Sequence, residues 1–326
     1  MQVRHYPAGS SNPEAQELWQ SDGTVAGTTR VFRSGPPNFD RGFMNAAAAG
    51  GVVYFSHDDG THGKDLWGAP RQGVIGRHVF YDNSTFDNYD RGAGPADDGA
   101  VATDKDALLP GQSANFSNVT SYTRGINGVM IDVGGDLPLT SLAGIAAGIE
   151  YKVGAGGDPA TWTDAPARPL IGIRKGAGML GADRITLTWP DGVIRNAWLR
   201  VTVPAAPAFG LPRPDLFNFG NLVGETGDAV AAFAVGPADV LAARRAAGAG
   251  AGRVGVESPH DFNRDGRVNA IDQALVRLAQ SRSLTPVTTT LVAALPDPDA
   301  RRRAAGVRSR YTSATQSLRH AATDQP

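Results

Sequence analysis

The sequence contains no cysteine among its 326 residues, which excludes disulfide bonds, thiol catalysis and cysteine-ligated zinc or iron–sulfur sites. Neither sign of charge is in surplus, since 31 basic residues oppose 32 acidic ones. That balance argues against a nucleic-acid-binding protein, which usually carries a basic surplus. No apolar run reaches the roughly 18 residues of a membrane-spanning helix, and Met1-Gln-Val-Arg-His5 lacks a signal-peptide pattern. Export stays open, because many secreted bacterial domains have no disulfides.

Aromatic residues are also scarce, at 7%, whereas glycine (41 residues) and proline (22 residues) are abundant. This composition favours short strands and many turns over long helices. The length is enough for two or three domains with sizeable hydrophobic cores. We therefore expect a mainly β protein with more than one domain.

Residues 1–75 contain one pattern twice. Glu17-Leu-Trp-Gln-Ser-Asp-Gly-Thr24 is echoed by Asp65-Leu-Trp67, and the two tryptophans lie 48 residues apart. This spacing is typical of propeller blades and comparable β repeats. The segments resemble the ELWxxDGT repeat of large bacterial extracellular proteins, in about one and a half copies. Because the chain opens inside such a repeat, we expect it to be the C-terminal part of a longer secreted precursor, extracellular or at the cell surface.

Residues 76–206 alternate short apolar runs with turn signals such as Trp189-Pro-Asp-Gly192. The pattern predicts an antiparallel β-sandwich, and the block resembles a sandwich module that precedes terminal dockerin modules in large bacterial surface proteins. Besides the short strand at Arg77–Tyr81, the predicted strands are Ser113–Tyr122, Gly128–Val133, Ile149–Val153, Leu170–Arg174, Arg184–Trp189 and Ile194–Val203.

A change of composition follows this block. Four prolines fall within residues 203–214, so residues 207–213 are predicted to be a semi-rigid linker. Residues 214–285 are predicted to form a small helical module. Residues 286–326 have several arginines and no periodicity, and are predicted to be disordered.

The helical module contains an acidic twelve-residue segment, Asp261–Asp272, that matches an EF-hand calcium loop position by position. Gly266 stands at position 6, where the chain must turn sharply, and position 7 offers the backbone carbonyl of Arg267. Calcium (Ca²⁺) is a hard cation that takes six to eight oxygen ligands. The predicted side-chain ligands are Asp261, Asn263, Asp265, Asn269 and Asp272. The alternative is an acidic Asx turn that starts a helix without binding an ion.

After this loop, Ala270–Gln280 is predicted to be a helix with Ile271, Leu275 and Leu278 on its buried face. Val268 at loop position 8 is expected to make a short β contact with a partner loop.

An earlier segment repeats this unit with an offset of 33 residues, which aligns Asp239 with Asp272 and Asp228 with Asp261. A loop followed by a helix, present twice, resembles a dockerin type I module. The first copy departs from the pattern, since Val230, Ala232 and Phe233 replace the residues at positions 3, 5 and 6. Its tentative ligands are Asp228, Asp239, Glu225 and Asn221. The alternative is a lost site whose helix still packs.

The dockerin resemblance implies a cohesin-like partner that contacts loop positions 10 and 11. Here those positions hold Ala270 and Ile271 in the second repeat, and Pro237 and Ala238 in the first. They are apolar instead of the usual Ser/Thr pair. Ile271 has the alternative of being a core residue.

Three weaker groups of residues have more ordinary explanations. His57 and His62 could suggest a metal, but a solvated turn is favoured. A second Ca²⁺ ion on the sandwich is conceivable at one acidic loop, but a solvated loop is favoured for its residues Asp82, Asp87, Asp90, Asp97 and Asp98. A sugar-stacking platform is conceivable at Trp162, Trp189 and Trp198, although core packing is favoured.

No catalytic triad or phosphate-binding loop is recognisable in the sequence. The leading hypothesis is a non-catalytic, calcium-dependent attachment or assembly module that docks to a cohesin-like partner in extracellular polysaccharide use. One alternative is a carbohydrate-binding sandwich, with a polysaccharide as partner and a dockerin-like anchor. The other is the accessory end of a larger extracellular enzyme.

Overall fold

The structure is a computed structural model. It describes residues 2–5, 15–20, 29–34, 44–49, 52–58, 63–70, 73–134, 144, 148–205, 211, 214–228, 233–249 and 252–288, all within one compact unit, Met1–Thr289. The described chain is mainly β, with several antiparallel sheets and few helices, which confirms the expected class. The tail was predicted to begin at residue 286, but Val287 is buried and Thr288 forms an antiparallel bridge with Ser113, so the prediction is wrong for these residues. The rest of the predicted tail lies outside the described residues.

The N-terminal repeats form two three-stranded antiparallel sheets. Phe55 is fully buried in the central strand of the second sheet, and Leu18 and Val31 of the first sheet join it in one small core. No closed propeller or barrel is formed by the residues that the structure describes. The strands are β1 (Gln2–His5), β2 (Ala15–Gln20), β3 (Thr29–Ser34), β4 (Met44–Ala49), β5 (Val52–Asp58) and β6 (Lys64–Pro70).

The next part of the chain builds a four-stranded antiparallel sheet. Runs of β-branched and other apolar residues explain why these segments are strands. Three of them lie within one or two residues of the predicted strands. The order across the sheet is β12 (Leu170–Arg174), β13 (Asp183–Thr188), β9 (Gly128–Gly134) and β7 (Gly73–Phe80).

A five-stranded sheet completes this region. It is antiparallel except where β15 and β8 pair in parallel. The order is β11 (Thr163–Asp164), β10 (Glu150–Gly154), β14 (Trp198–Val203), β15 (Asp215–Asn221) and β8 (Val119–Thr120). The strand expected over residues 113–122 shrinks to β8, because Asn115 caps a 3₁₀ turn, Phe116–Asn118, just before it.

Strand β15 lies in residues 214–285, which were predicted to form a helical module. Residues 215–220 pair with β14, and Phe217 and Phe219 are fully buried in the core of the sheets. The change of composition at the prolines therefore does not coincide with the end of the sheet. Buried residues of the four- and five-stranded sheets form one hydrophobic core, and we call these two sheets the β unit.

Two helices follow, α1 (Pro237–Gly248) and α2 (Ala270–Ala279), which pack against one another. A short antiparallel pair, β16 (Phe233–Ala234) and β17 (Ser283–Leu284), ties the two repeats together. The helices share their core with the β unit, because Val119 of β8 and Trp198 of β14 belong to the same buried cluster as Val276 and Ala279.

Helix α2 begins at the predicted residue, and Leu275 packs against the core as predicted, but the predicted buried face is wrong for Ile271 and Leu278. Ile271 is 54% exposed and Leu278 is 75% exposed, whereas Asp272, Val276 and Ala279 are buried. The spacing of the buried residues still follows a helical period. The helix is rotated so that its buried carboxylate, Asp272, faces the loop.

The β contact expected at Val268 also differs in its partner. Arg267 forms an antiparallel bridge with Arg253, and the Val254 N–H donates to the carbonyl of Gly266 at 2.9 Å. The second loop thus pairs with residues just before it, while the repeats pair through β16 and β17.

Candidate calcium loops

The second loop, Asp261–Asp272, is folded by bonds from its own backbone to its polar side chains. The Gly266 N–H donates to Asp261 Oδ2 at 2.9 Å, and the Arg267 N–H donates to Asp265 Oδ1 at 3.0 Å. Asn263 Oδ1 accepts from the Asp265 N–H at 3.3 Å. Gly266 has φ of +79°, a conformation that glycine adopts without strain. The side chains at positions 1, 3 and 5 therefore curl the loop.

Asp272 closes the second loop from the first turn of α2. Its Oδ1 accepts from the Phe262 N–H at 2.8 Å, and its Oδ2 accepts from the Asn269 N–H at 2.9 Å. Asn269 caps the helix by accepting from the Ile271 N–H at 2.7 Å. This is a capping box, which satisfies the backbone donors at the start of a helix. Asp272 thus joins the two ends of the loop.

Arg264, at loop position 4, docks the second loop onto the β unit. Its side chain is buried, lies over the ring of Tyr81 at 4.1 Å, and donates to the Tyr81 hydroxyl at 2.9 Å. The same guanidinium donates to the carbonyl of Ser258. Two backbone bonds add to the contact, from Thr85 N–H to the Arg264 carbonyl and from Thr123 N–H to the Phe262 carbonyl. The sequence offered no signal for this arginine, because its partners are distant in the chain.

The first loop closes in the same way with a different sequence. Asp239, in the first turn of α1, accepts from the Thr226 N–H at 2.9 Å and from the Gly236 N–H at 2.7 Å. Thr226 therefore occupies the place of Phe262, and Glu225 the place of Asp261. Glu225 and Asp239 are both fully buried.

This equivalence replaces the alignment of Asp228 with Asp261. Glu225 and Asp239 are fourteen positions apart in the sequence, whereas Asp261 and Asp272 are eleven positions apart. The first loop thus holds three extra residues, which an ungapped offset cannot detect. Val230 and Ala232 lie outside the described residues.

Asn221 bonds to residues outside the first loop. It ends β15, accepts from the Asn196 N–H at 2.9 Å, and donates to the carbonyl of Tyr122 at 3.0 Å. Both contacts hold neighbouring strands and turns of the β unit together. Both the oxygen and the nitrogen of its side-chain amide thus form hydrogen bonds within the β unit.

The two loops differ in how their carboxylates converge. In the first loop, ligand atoms of Glu225, Asp228 and Asp239 all lie within 4.8 Å of one another. Glu225 Oε1 accepts from the Gly227 N–H, while its buried Oε2 has no hydrogen-bond partner. Among the described residues, the second loop forms no such group of three carboxylates. Asp261, Asp265 and Asp272 are each held by loop hydrogen bonds instead.

Burial perturbs the carboxylates of both loops. It raises the pKa of Glu225 to about 7, with a further increase from the nearby charges of Asp239 and Asp228. Burial likewise raises the pKa of Asp261 to about 6, partly opposed by Arg264. Buried, mutually repelling carboxylates are costly without a cation.

The residues predicted to face a partner are all exposed. Ala270 and Ile271 lie at the start of α2, and Pro237 and Ala238 lie at the start of α1. The alternative of Ile271 as a core residue is excluded by its exposure. Leu241 and Leu278 add two more exposed apolar side chains on the same helices.

The three tryptophans form no exposed platform, since all of them are buried. Trp162 and Trp198 belong to the core beneath the helices, and Trp189 packs edge-on against Tyr151 in the β unit. Each indole donates to a backbone carbonyl. The expectation of core packing is confirmed.

His57 is buried between the rings of Phe32 and Trp67, so the expectation of a solvated turn is wrong for this residue. His62 lies outside the described residues. The acidic cluster is also less solvated than expected, because Asp82, Asp87 and Asp97 are buried.

Comparisons with protein-family models, with curated proteins and with solved structures find no match to this chain. Within the part of the chain that the structure describes, no helix has the length and apolar character needed to cross a membrane.

Proposed function

We propose that the protein is a non-catalytic, calcium-binding attachment module. The observation that carries the proposal is the pair of loop–helix units in which Asp239 and Asp272 each bond back to the start of their own loop. Oxygen-rich loops closed by a carboxylate in the following helix suit Ca²⁺, which takes six to eight oxygens in flexible geometry. The expected ligands of the second loop, including the Arg267 carbonyl, lie in a loop already curled by its own hydrogen bonds.

The first loop strengthens the proposal. It departs from the sequence pattern, yet three carboxylates converge there and leave the buried Glu225 Oε2 without a partner. A Ca²⁺ ion would supply that oxygen with a ligand contact and offset the repulsion within the cluster. We propose Glu225, Asp228 and Asp239 as its ligands.

We further propose that the exposed apolar side chains of α1 and α2 dock onto a cohesin-like protein. Ile271 and Leu278 on α2 and Leu241 on α1 are all exposed by more than a third of their surface. Exposed apolar groups on neighbouring elements favour a protein partner. The link to extracellular polysaccharide use, and to a precursor secreted to the cell surface, rests on the dockerin and ELWxxDGT resemblances alone.

Calcium uptake by the full chain tests the first part. A fragment beginning at residue 207 is unsuitable, because β15 and the helical core belong together with the β unit. Ions bound to the native chain are counted by mass spectrometry after dialysis against Ca²⁺. We expect Asp228→Asn and Asp265→Asn each to lose one ion. Both side chains are at least partly exposed, so the fold should tolerate the changes.

The matched control is Asp164→Asn, which removes the same charge from an exposed side chain on β11. It should bind as many ions as the unaltered chain. If the unaltered chain binds no Ca²⁺ at millimolar concentration, the proposal is wrong.

Docking is tested by binding of the full chain to a panel of purified cohesin domains in Ca²⁺ and in EDTA. We expect Ca²⁺-dependent binding that Ile271→Arg reduces by at least about tenfold, as loss of an interface anchor does. Leu170→Arg is the control, since Leu170 is equally apolar and exposed but lies on β12. If neither EDTA nor Ile271→Arg changes the affinity, the proposed docking surface is wrong.

A further inference from the structure

A second acidic site lies on the β unit, outside both loops. After β7 the chain makes two short 3₁₀ turns, Thr85–Asp87 and Pro95–Ala100, which pack against each other. Three aspartates of this segment, Asp82, Asp87 and Asp97, are at most 4% exposed. We call them the acidic triad.

Two members of the acidic triad are held by one oxygen each. Asp87 Oδ1 accepts from the Ser84 N–H at 2.8 Å and from the Tyr89 N–H at 3.0 Å. Asp97 Oδ2 accepts from the Gly94 N–H at 2.9 Å. In each case the carboxylate caps a 3₁₀ turn, and the bonds to backbone N–H groups fix its orientation. Hydrogen bonds to the ligands of a metal ion fix their orientation in the same way.

The other oxygen of each carboxylate is buried and has no partner. Asp82 Oδ1, Asp87 Oδ2 and Asp97 Oδ1 are each without a hydrogen-bond donor and without contact with solvent. A single unsatisfied buried carboxylate oxygen is costly, and three are far more so. All three side chains have ligand atoms within 4.8 Å of one another. Three carboxylates that each have a buried oxygen without a partner are therefore close neighbours.

The neighbouring cations are engaged with other carboxylates. Arg174 donates to Asp98 alone among the acidic side chains, and Arg184 donates to Asp98 and Asp132. Asp98 therefore forms ion pairs with arginines, whereas the neighbouring Asp97 belongs to the acidic triad. The negative charges of Asp90 and Asp191 also act on Asp82, while the charge of Arg174 acts in the opposite sense on Asp97.

We propose that Asp82, Asp87 and Asp97 bind one Ca²⁺ ion. Three ligand atoms within 4.8 Å of one another have a central point no more than about 2.8 Å from each, so Ca²⁺–oxygen bonds of about 2.4 Å form with only small side-chain movements. Smaller Mg²⁺, with bonds of about 2.1 Å, would require the side chains to draw together. An all-oxygen set also disfavours the softer transition metals.

The ion's role is structural. Between Ser84 and Asp87 lies Thr85, whose N–H donates to the carbonyl of Arg264 in the second loop at 3.0 Å. An ion bound to Asp87 would fix the turn that carries this contact. The site is independent of the proposed calcium loops, because none of its ligands belongs to them.

Ion counting on the full chain tests the proposal. Native mass spectra in Ca²⁺ are compared for the unaltered chain, Asp87→Asn, Asp97→Asn and the control Asp98→Asn. We expect the first two variants to bind one ion fewer than the unaltered chain, and Asp98→Asn to bind the same number. The double variant Asp228→Asn with Asp265→Asn should still bind one ion, at the acidic triad. This result would distinguish the triad from the two loops.

Equal ion counts in all four proteins would overturn the proposal. Since a triad variant could fail to fold, a second measurement uses the unaltered chain. Crystals grown with Tb³⁺, a common substitute for Ca²⁺, should show an anomalous peak about 2.4 Å from Asp82, Asp87 and Asp97. Absence of a peak there at full occupancy of other sites would also overturn it.

Discussion

In both loop–helix units an aspartate in the first turn of the helix bonds back to the start of the loop, although only the second loop has the EF-hand sequence pattern. The second loop follows the EF-hand pattern at every ligand position, yet each of its carboxylates is held by loop hydrogen bonds. The first loop has lost much of the pattern and is three residues longer, yet it gathers three carboxylates within 4.8 Å. The sequence pattern thus predicts how the backbone of a loop curls. Whether its carboxylates come close together depends on how the loop packs against the helix that follows it.

The surroundings of the two loops differ as well. Arg264 binds the second loop to Tyr81 and Ser258. Both units share one apolar core with the β unit, to which the first contributes Ala243 and the second contributes Phe262 and Val276. The second unit thus adds a charged anchor, Arg264, to the apolar packing that both units make.

The largest effect should come from removing the docking arginine. Arg264→Ala leaves the Tyr81 hydroxyl and the Ser258 carbonyl without a buried donor, and it opens a cavity beneath the loop. We expect a loss of about 3 kcal/mol in the free energy of unfolding, measured by urea denaturation. Arg267→Ala is the control: this exposed side chain lies in the same loop, and its loss should cost less than about 0.5 kcal/mol. Equal costs would show that the second loop is not docked through Arg264.

The next effect concerns the closing carboxylates. Asp272→Ala removes the acceptor of the Phe262 and Asn269 N–H groups, and Asp239→Ala removes that of the Thr226 and Gly236 N–H groups. Because the bonds are equivalent, each variant should lose about 2 kcal/mol in the free energy of unfolding. Calorimetry in EDTA measures this without any contribution from bound Ca²⁺. A cost confined to Asp272→Ala would break the equivalence of the two units.

The smallest effect is a difference in pH dependence. Ca²⁺ must displace the protons of its carboxylate ligands, so uptake weakens as pH falls below each ligand's metal-free pKa. The pKa is about 7 for Glu225 and about 6 for Asp261. Between pH 7.5 and 5.5, Ca²⁺ affinity should fall by more than about tenfold at the first loop and by about fourfold at the second.

Calorimetric titration resolves this difference when one loop is measured at a time. Asp97→Asn with Asp265→Asn reports the first loop, and Asp97→Asn with Asp228→Asn reports the second. Replacing Glu225 by Gln should remove the steeper dependence. A steeper fall at the second loop would reverse the comparison.

Several elements were predictable because their signals are local. Strands β9, β12 and β13 lie where runs of apolar residues end at turns, and α2 begins after the Asn269 cap. Turn formation and helix capping depend on residues a few positions apart, so they can be predicted from the sequence. The buried face of α2 was not predictable in this way, because Ile271 and Val276 are both apolar and only packing distinguishes them.

By itself, the sequence determined the mainly β class, the curl of the second loop and the start of its helix, since each follows from side chains close to the backbone groups they bind. Only the tertiary structure decided that β15 completes a sheet, that Glu225 stands where Asp261 stands, and that Asp82, Asp87 and Asp97 converge. Such contacts join residues that approach one another only when the sheets and helices have packed, and no short-range pattern encodes that approach.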